Sequence, residues 1–163
     1  MILGLYIVLA IVTIVYMVLS ARMDLRERQI YTMPCFFLTL SWWFYLLSMG
    51  GFEWKVLVIW FVVHYVLYRL FNHFRIWGAG DSDVFLLLSN ILLAVIGERG
   101  YWTVLFAECV CIVMALAIAI LVAVFEFRGK NEQVNLHSKV AVVPGFAVVV
   151  TVLLGFGLLG RLV

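Results

Sequence analysis

Residues 1–21 read MILGLYIVLAIVTIVYMVLSA, and the first charged side chain of the chain is Arg22. A helix that crosses the bilayer core needs about 20 mostly apolar residues, and this stretch meets that length without interruption. It has no basic region ahead of the apolar run and no small-residue cleavage site before Arg22. It is therefore read as a retained first span, not as a removed signal peptide.

The same pattern recurs along the chain. Further spans are predicted at about 31–50, 54–71, 84–97, 101–125 and 140–160, the fourth being short unless it begins near Asp81. Over all 163 residues, 67% are hydrophobic and 12% charged, with a mean hydropathy of +1.18. A soluble domain averages about 45–50% apolar and about 25% charged residues, so lipid must be the solvent. The expected fold is an all-α, polytopic membrane bundle of about six helices, in one domain over residues 1–163. A net charge of +2, with basic residues scattered through the loops, makes no nucleic-acid footprint.

The basic residues also orient the bundle. With both termini outside, the cytosolic loops carry Arg22, Arg26, Arg28, Arg69, Arg75, Arg128, Lys130 and Lys139, and only Lys55, Arg99 and Arg161 remain outside. Cytosolic loops are enriched in Lys and Arg, so N-out and C-out is the expected orientation. Asp24 then follows the end of the first span, and Asp81 precedes the fourth. The two intervening spans return the chain to the same surface, so carboxylates far apart in sequence can meet there.

Each aspartate also has a local explanation. Asp24, in Ser20-Ala21-Arg22-Met23-Asp24-Leu25-Arg26, reads as a solvated charge beside arginines. Asp81 lies in Trp77-Gly78-Ala79-Gly80-Asp81-Ser82-Asp83, where a helix start would use glycine for the turn and Asp or Ser as cap. The functional alternative assigns Gly78 and Gly80 to close approach of backbone or substrate to the carboxylate.

Taken together, the two segments resemble those of type IV prepilin peptidases, aspartyl proteases of the membrane GxGD class. Asp24 followed by Arg26, Arg28 and Ile30 is similar to the family's first segment, and Gly78-Ala79-Gly80-Asp81-Ser82 to its second. The stretch from Lys139 to Gly145, with Pro144, resembles the segment that opens the family's late span. Tyr31-Thr32 stand where the family usually has Pro-Asn, and Asp83 where Lys is frequent. The cysteine-rich region of the larger, methylating members has no counterpart, so the short form is the closer match.

The resemblance implies an aspartic endopeptidase with Asp24 and Asp81 as its catalytic pair. It implies that Arg28, Ile30, Gly78 and Gly80 shape the site. Two neighbouring carboxylates share one proton; the ionised member activates water, and the protonated one polarises the scissile carbonyl. No metal or other cofactor is expected. The implied substrate is a pilin-like precursor with a basic leader and an apolar helix, cleaved at the cytosolic face of a prokaryotic cell membrane. Two other classes stay open: a small ion- or proton-coupled transporter, and a catalytically inactive assembly factor of the same fold.

Other polar residues carry weaker signals. Glu108 and His64 share a depth of about 10–16 Å from the outer surface at 1.5 Å per residue, as a proton relay or a buried structural pair. Trp42, Trp43, Trp54, Tyr101 and Trp102 read as an interfacial belt. Cys35, Cys109 and Cys111 read as small core hydrophobes. His73 and His137 lack partners at metal-ligand spacing.

Overall fold

A computed structural model of the chain describes residues 2–51, 53–74, 78–129 and 140–162. Arg75, Trp77, Lys130, His137 and Lys139, named above, lie outside the described residues. The described chain is all-α: α1 (Ile2–Glu27), α2 (Thr32–Met49), α3 (Trp54–His73), α4 (Ala79–Ile96), α5 (Tyr101–Gly129) and α6 (Val143–Leu162), with one 3-10 turn at Gly97–Arg99. All six helices are long and apolar enough to cross a membrane. Many large apolar side chains on their outer faces are exposed, Val8, Ile11, Phe106 and Phe156 among them. That surface requires lipid rather than water around it.

Several boundaries differ from the sequence expectation. α1 runs six residues past Ala21, because Arg22 to Glu27 contain neither Gly nor Pro to stop a helix already started. It ends at Arg28, which adopts φ 54 and donates its N–H to the Asp24 carbonyl at 3.1 Å. Asp24 therefore sits within the last turns of α1, not beyond it. α4 begins at Ala79, five residues before Val84, with Gly78 in extended conformation as its N-cap. α5 continues to Gly129, and α6 starts at Val143 rather than Val140.

α4 is the most buried helix and packs against α2, α3, α5 and α6. α1 packs on both α2 and α6, so the first and last helices are neighbours. Their contact is sealed by Tyr6, whose hydroxyl donates to the Leu154 carbonyl at 2.9 Å. Trp42 is wholly buried against Tyr6, ring centroids 5.6 Å apart, and its indole N–H donates to Thr13 Oγ1 at 3.0 Å. It belongs to the core and not to an interfacial belt, because that hydrogen bond satisfies its polar edge away from water. Trp54, Tyr101 and Trp102 are exposed near helix ends, and Trp43 is half-buried. Of the three cysteines, Cys35 is buried, Cys111 is half-buried and Cys109 is exposed. Cys109 follows the inward-facing Glu108 by one residue, about 100° around the helix, which turns it outward.

α5 and α6 approach closely through small residues. Ala115, Ala119 and Ala123 form a buried stripe on α5. A Cβ built on Gly145 of α6 would collide with the backbone carbonyl oxygen of Ala115. Small side chains let helix backbones come together where no hydrophobic effect drives them.

His64 and Glu108 do meet, linking α3 to α5. His64 Nε2 lies 3.0 Å from Glu108 Oε2, and both side chains are almost completely buried. His64 Nδ1 contacts the Trp60 carbonyl at 2.8 Å. A carbonyl only accepts, so Nδ1 carries a hydrogen, and the contact on Nε2 then needs one further proton held between the two side chains. Glu108→Gln should leave thermal stability nearly unchanged, because its amide can donate to Nε2. Glu108→Ala should cost about 1–3 kcal/mol by stranding a buried ring nitrogen. Thermal unfolding in detergent checks both, and equal losses in the two variants would refute the shared proton.

Candidate functional site

The helix ends nearest Asp24 enclose a cavity of about 270 Å³. All six residues singled out from sequence line it: Asp24, Arg28, Ile30, Gly78, Gly80 and Asp81. Gln29, Thr32 and Val143 complete the wall. The site thus draws on the α1–α2 connection, the start of α4 and the start of α6.

Asp24 is held from α6. Its Oδ2 accepts the backbone N–H of Val143 at 3.1 Å, and the Val142 amide also donates to the carboxylate. The first amides of a helix have no intrahelical acceptor, so α1 supplies the cap that α6 lacks. Asp24 is 8% exposed, which replaces the solvated juxtamembrane charge with a buried and engaged one. Arg28 is near enough for its charge to act on Asp24. Its Nη2 pairs with Glu126 Oε2 of α5 at 2.9 Å, fixing the left-handed turn that ends α1. The Tyr16 hydroxyl donates to the Tyr31 carbonyl at 3.0 Å and fastens the other end of that connection.

Asp81 occupies the third position of α4 and reaches back, its Oδ2 accepting the Gly78 N–H at 3.2 Å. The sequence pointed to Asp or Ser as the N-cap; instead Gly78 itself is the N-cap, and Asp81, two residues inside α4, is the reciprocal acceptor of its N–H. Ser82 adds a hydroxyl bond to the Gly78 carbonyl at 3.2 Å. Gly80 has a separate reason: a Cβ there would stand 2.5 Å from Ile30 Cγ1. The close approach that Gly80 permits is therefore made by Ile30 of the same chain, and it brings the α1–α2 connection onto α4. At Gly78 a Cβ would lie 3.2 Å from Asp81 Oδ2, tight against the capping carboxylate.

Asp24 and Asp81 share this cavity, close enough for the charge on Asp24 to act on Asp81. Asp83 does not line it. Two residues further along α4, it is turned by about 200° and hydrogen-bonds the Tyr68 hydroxyl of α3. The extra negative charge that the sequence places after Asp81 thus faces another flank of the helix. Val143 and Glu126 were not singled out from the sequence. Val143 contributes only a backbone N–H, which no residue pattern betrays, although the Pro144 segment that contains it was noted. Among the described residues no group of three His, Cys, Asp or Glu side chains gathers as a metal site would require.

Chemically, the cavity offers two carboxylates from separate elements, one guanidinium beside them, the polar side chains of Gln29 and Thr32, and otherwise glycine and apolar walls. Comparison with protein-family models, with curated proteins and with solved structures finds no match for this chain.

Proposed function

We propose that the chain is a membrane aspartyl endopeptidase that cleaves the leader of a pilin-like precursor at the cytosolic membrane face. The observation that carries the reading is the shared cavity. Two aspartates from segments separated by two spans line one small space at the helix ends, and each is oriented by a backbone N–H. Charged side chains within spans are costly and mark functional paths. Placing a buried Asp24 beside a half-buried Asp81 is costlier still if their only task is to cap helices.

In the proposed reaction one aspartate is ionised and the other holds the shared proton. The ionised carboxylate takes a proton from water as the oxygen attacks the scissile carbonyl. The protonated carboxyl donates to the developing oxyanion and stabilises the tetrahedral intermediate. Collapse transfers a proton to the leaving amine, and the roles of the aspartates are then reversed. Arg28 stands at the rim, where it offsets negative charge around Asp24 and limits which peptide backbone can approach. Ile30, packed against Gly80, closes the side facing α4. The apolar helix of a precursor would lie in the bilayer beside the bundle, with its leader crossing the cavity.

The test is direct. The purified chain, reconstituted in vesicles with a pilin-like precursor, should produce a single new N-terminus at the leader junction, read by mass spectrometry. The His64–Glu108 pair in mid-membrane favours a second reading, proton-coupled transport. Intact precursor together with proton flux across the same vesicles would replace the peptidase by the transporter. Intact precursor without flux would favour an inactive assembly factor.

A further inference from the structure

A second recess lies on the other side of α1. It is a groove of about 490 Å³ between the last turns of α1 and the first turn of α2. Its floor is apolar: Val12, Val15 and Leu19 of α1 are each about half exposed, and Pro34 of α2 completes the wall. Its rim, at the helix ends, carries Arg22 and Arg26. These two arginines flank Asp24 at a distance of two residues, so they point about 200° around the helix from it. Four residues apart, they stack on one face. Neither forms an ion pair among the described residues, whose salt bridges are Arg28–Glu126 and His64–Glu108. Glu27 also lines the groove, so its local charge is one positive.

We propose that this groove binds an anionic phospholipid of the leaflet on the aspartate side. The apolar stripe runs from the middle of α1 towards its end and is exposed along its length, as an acyl chain requires. The two guanidiniums sit where a headgroup phosphate lies, and they present planar donor forks to it. Basic pockets between helices at the cytosolic surface select acidic headgroups by this combination. A soluble anion would gain nothing from the apolar floor, and a zwitterionic lipid would bring a headgroup cation to a rim that is already net positive. This inference is independent of the peptidase reading, because the groove and the aspartate cavity share no lining residue.

The experiment is native mass spectrometry of the full chain released from micelles containing phosphatidylglycerol or phosphatidylcholine with matched acyl chains. The expected result is retention of phosphatidylglycerol over phosphatidylcholine. Arg22→Gln/Arg26→Gln should lower that retention on the order of tenfold, the scale set by two juxtamembrane cations. Arg22→Lys/Arg26→Lys should keep most of it, and Lys55→Gln/Arg99→Gln, at the opposite helix ends, should leave it intact. Equal retention of the two lipids would overturn the proposal. So would unchanged phosphatidylglycerol binding in the Gln double variant, or dimers that this variant abolishes without any change in bound lipid, which would make a second copy the occupant.

Discussion

Asp24→Asn and Asp81→Asn are each expected to slow precursor cleavage by about 10²–10⁴-fold, the contribution of general acid–base catalysis, while the bundle stays folded. Both halves of this expectation follow from the hydrogen bonds. Asp24 accepts the Val143 N–H and Asp81 accepts the Gly78 N–H, each through Oδ2, and the Val142 amide also donates to the Asp24 carboxylate. An asparagine amide oxygen can accept the Val143 and Gly78 N–H groups in the same way, so the main cap bonds on α6 and α4 survive. What asparagine cannot do is take a proton from water. Because the two carboxyls act as one unit, the double variant should be hardly slower than either single one. Alanine differs, since Asp24→Ala also removes a cap worth about 0.5–2 kcal/mol. Initial cleavage rates, paired with thermal unfolding of each variant, separate the two roles. Full-speed cleavage by either Asn variant would end the dyad assignment. Stability lost to the same degree in Asn and Ala variants would show that the carboxylate charge itself holds the fold.

Gly145→Ala should be the most disruptive single-methyl change in the bundle. The added Cβ collides with the carbonyl oxygen of Ala115, which is backbone and cannot swing aside. Overpacking a core costs about 1–3 kcal/mol, and a clash with a helix backbone belongs at the upper end or above. Relief requires α6 to move away from α5, and Val143, two residues earlier, would carry its N–H away from Asp24. The variant should therefore unfold at lower temperature and, on the peptidase reading, cleave more slowly. Gly4→Ala is the matched control, because a Cβ there meets nothing within 4 Å. Unfolding temperatures in one detergent compare the two. If Gly145→Ala melts with the parent chain, the helices are not in the close contact described.

Hydrophobic run length carried most of the architecture. Six apolar stretches became six helices, because the bilayer thickness imposes a length that composition alone reveals. The ends were harder to read: nothing in Arg22 to Glu27 signals a stop, so α1 continued until Arg28 turned left-handed. The location of the candidate site was legible from the parity of the spans and from two short segments containing Asp24 and Asp81. Its internal connections were not. The acceptor role of Asp24 depends on a backbone amide 119 residues away, and the anchor of Arg28 is a glutamate 98 residues away. Such bonds exist only once helices are packed. Trp42 was misread for a related reason: nothing in the sequence of α2 shows that Thr13 of α1 supplies its indole with a buried acceptor.

The pairing of α1 with α6 has a consequence for biosynthesis. Tyr6 waits for the Leu154 carbonyl, and Asp24 waits for the Val143 amide. While a ribosome is still making the middle of the chain, neither partner has been synthesised. The cavity wall that Val143 provides is thus the last piece of the site to be synthesised, after α1 to α5. A nascent chain paused before residue 143 carries both aspartates but only part of their enclosure. Synthesis of α6 is in this sense the event that closes the site, and a newly made chain is unfinished there until that helix is in place.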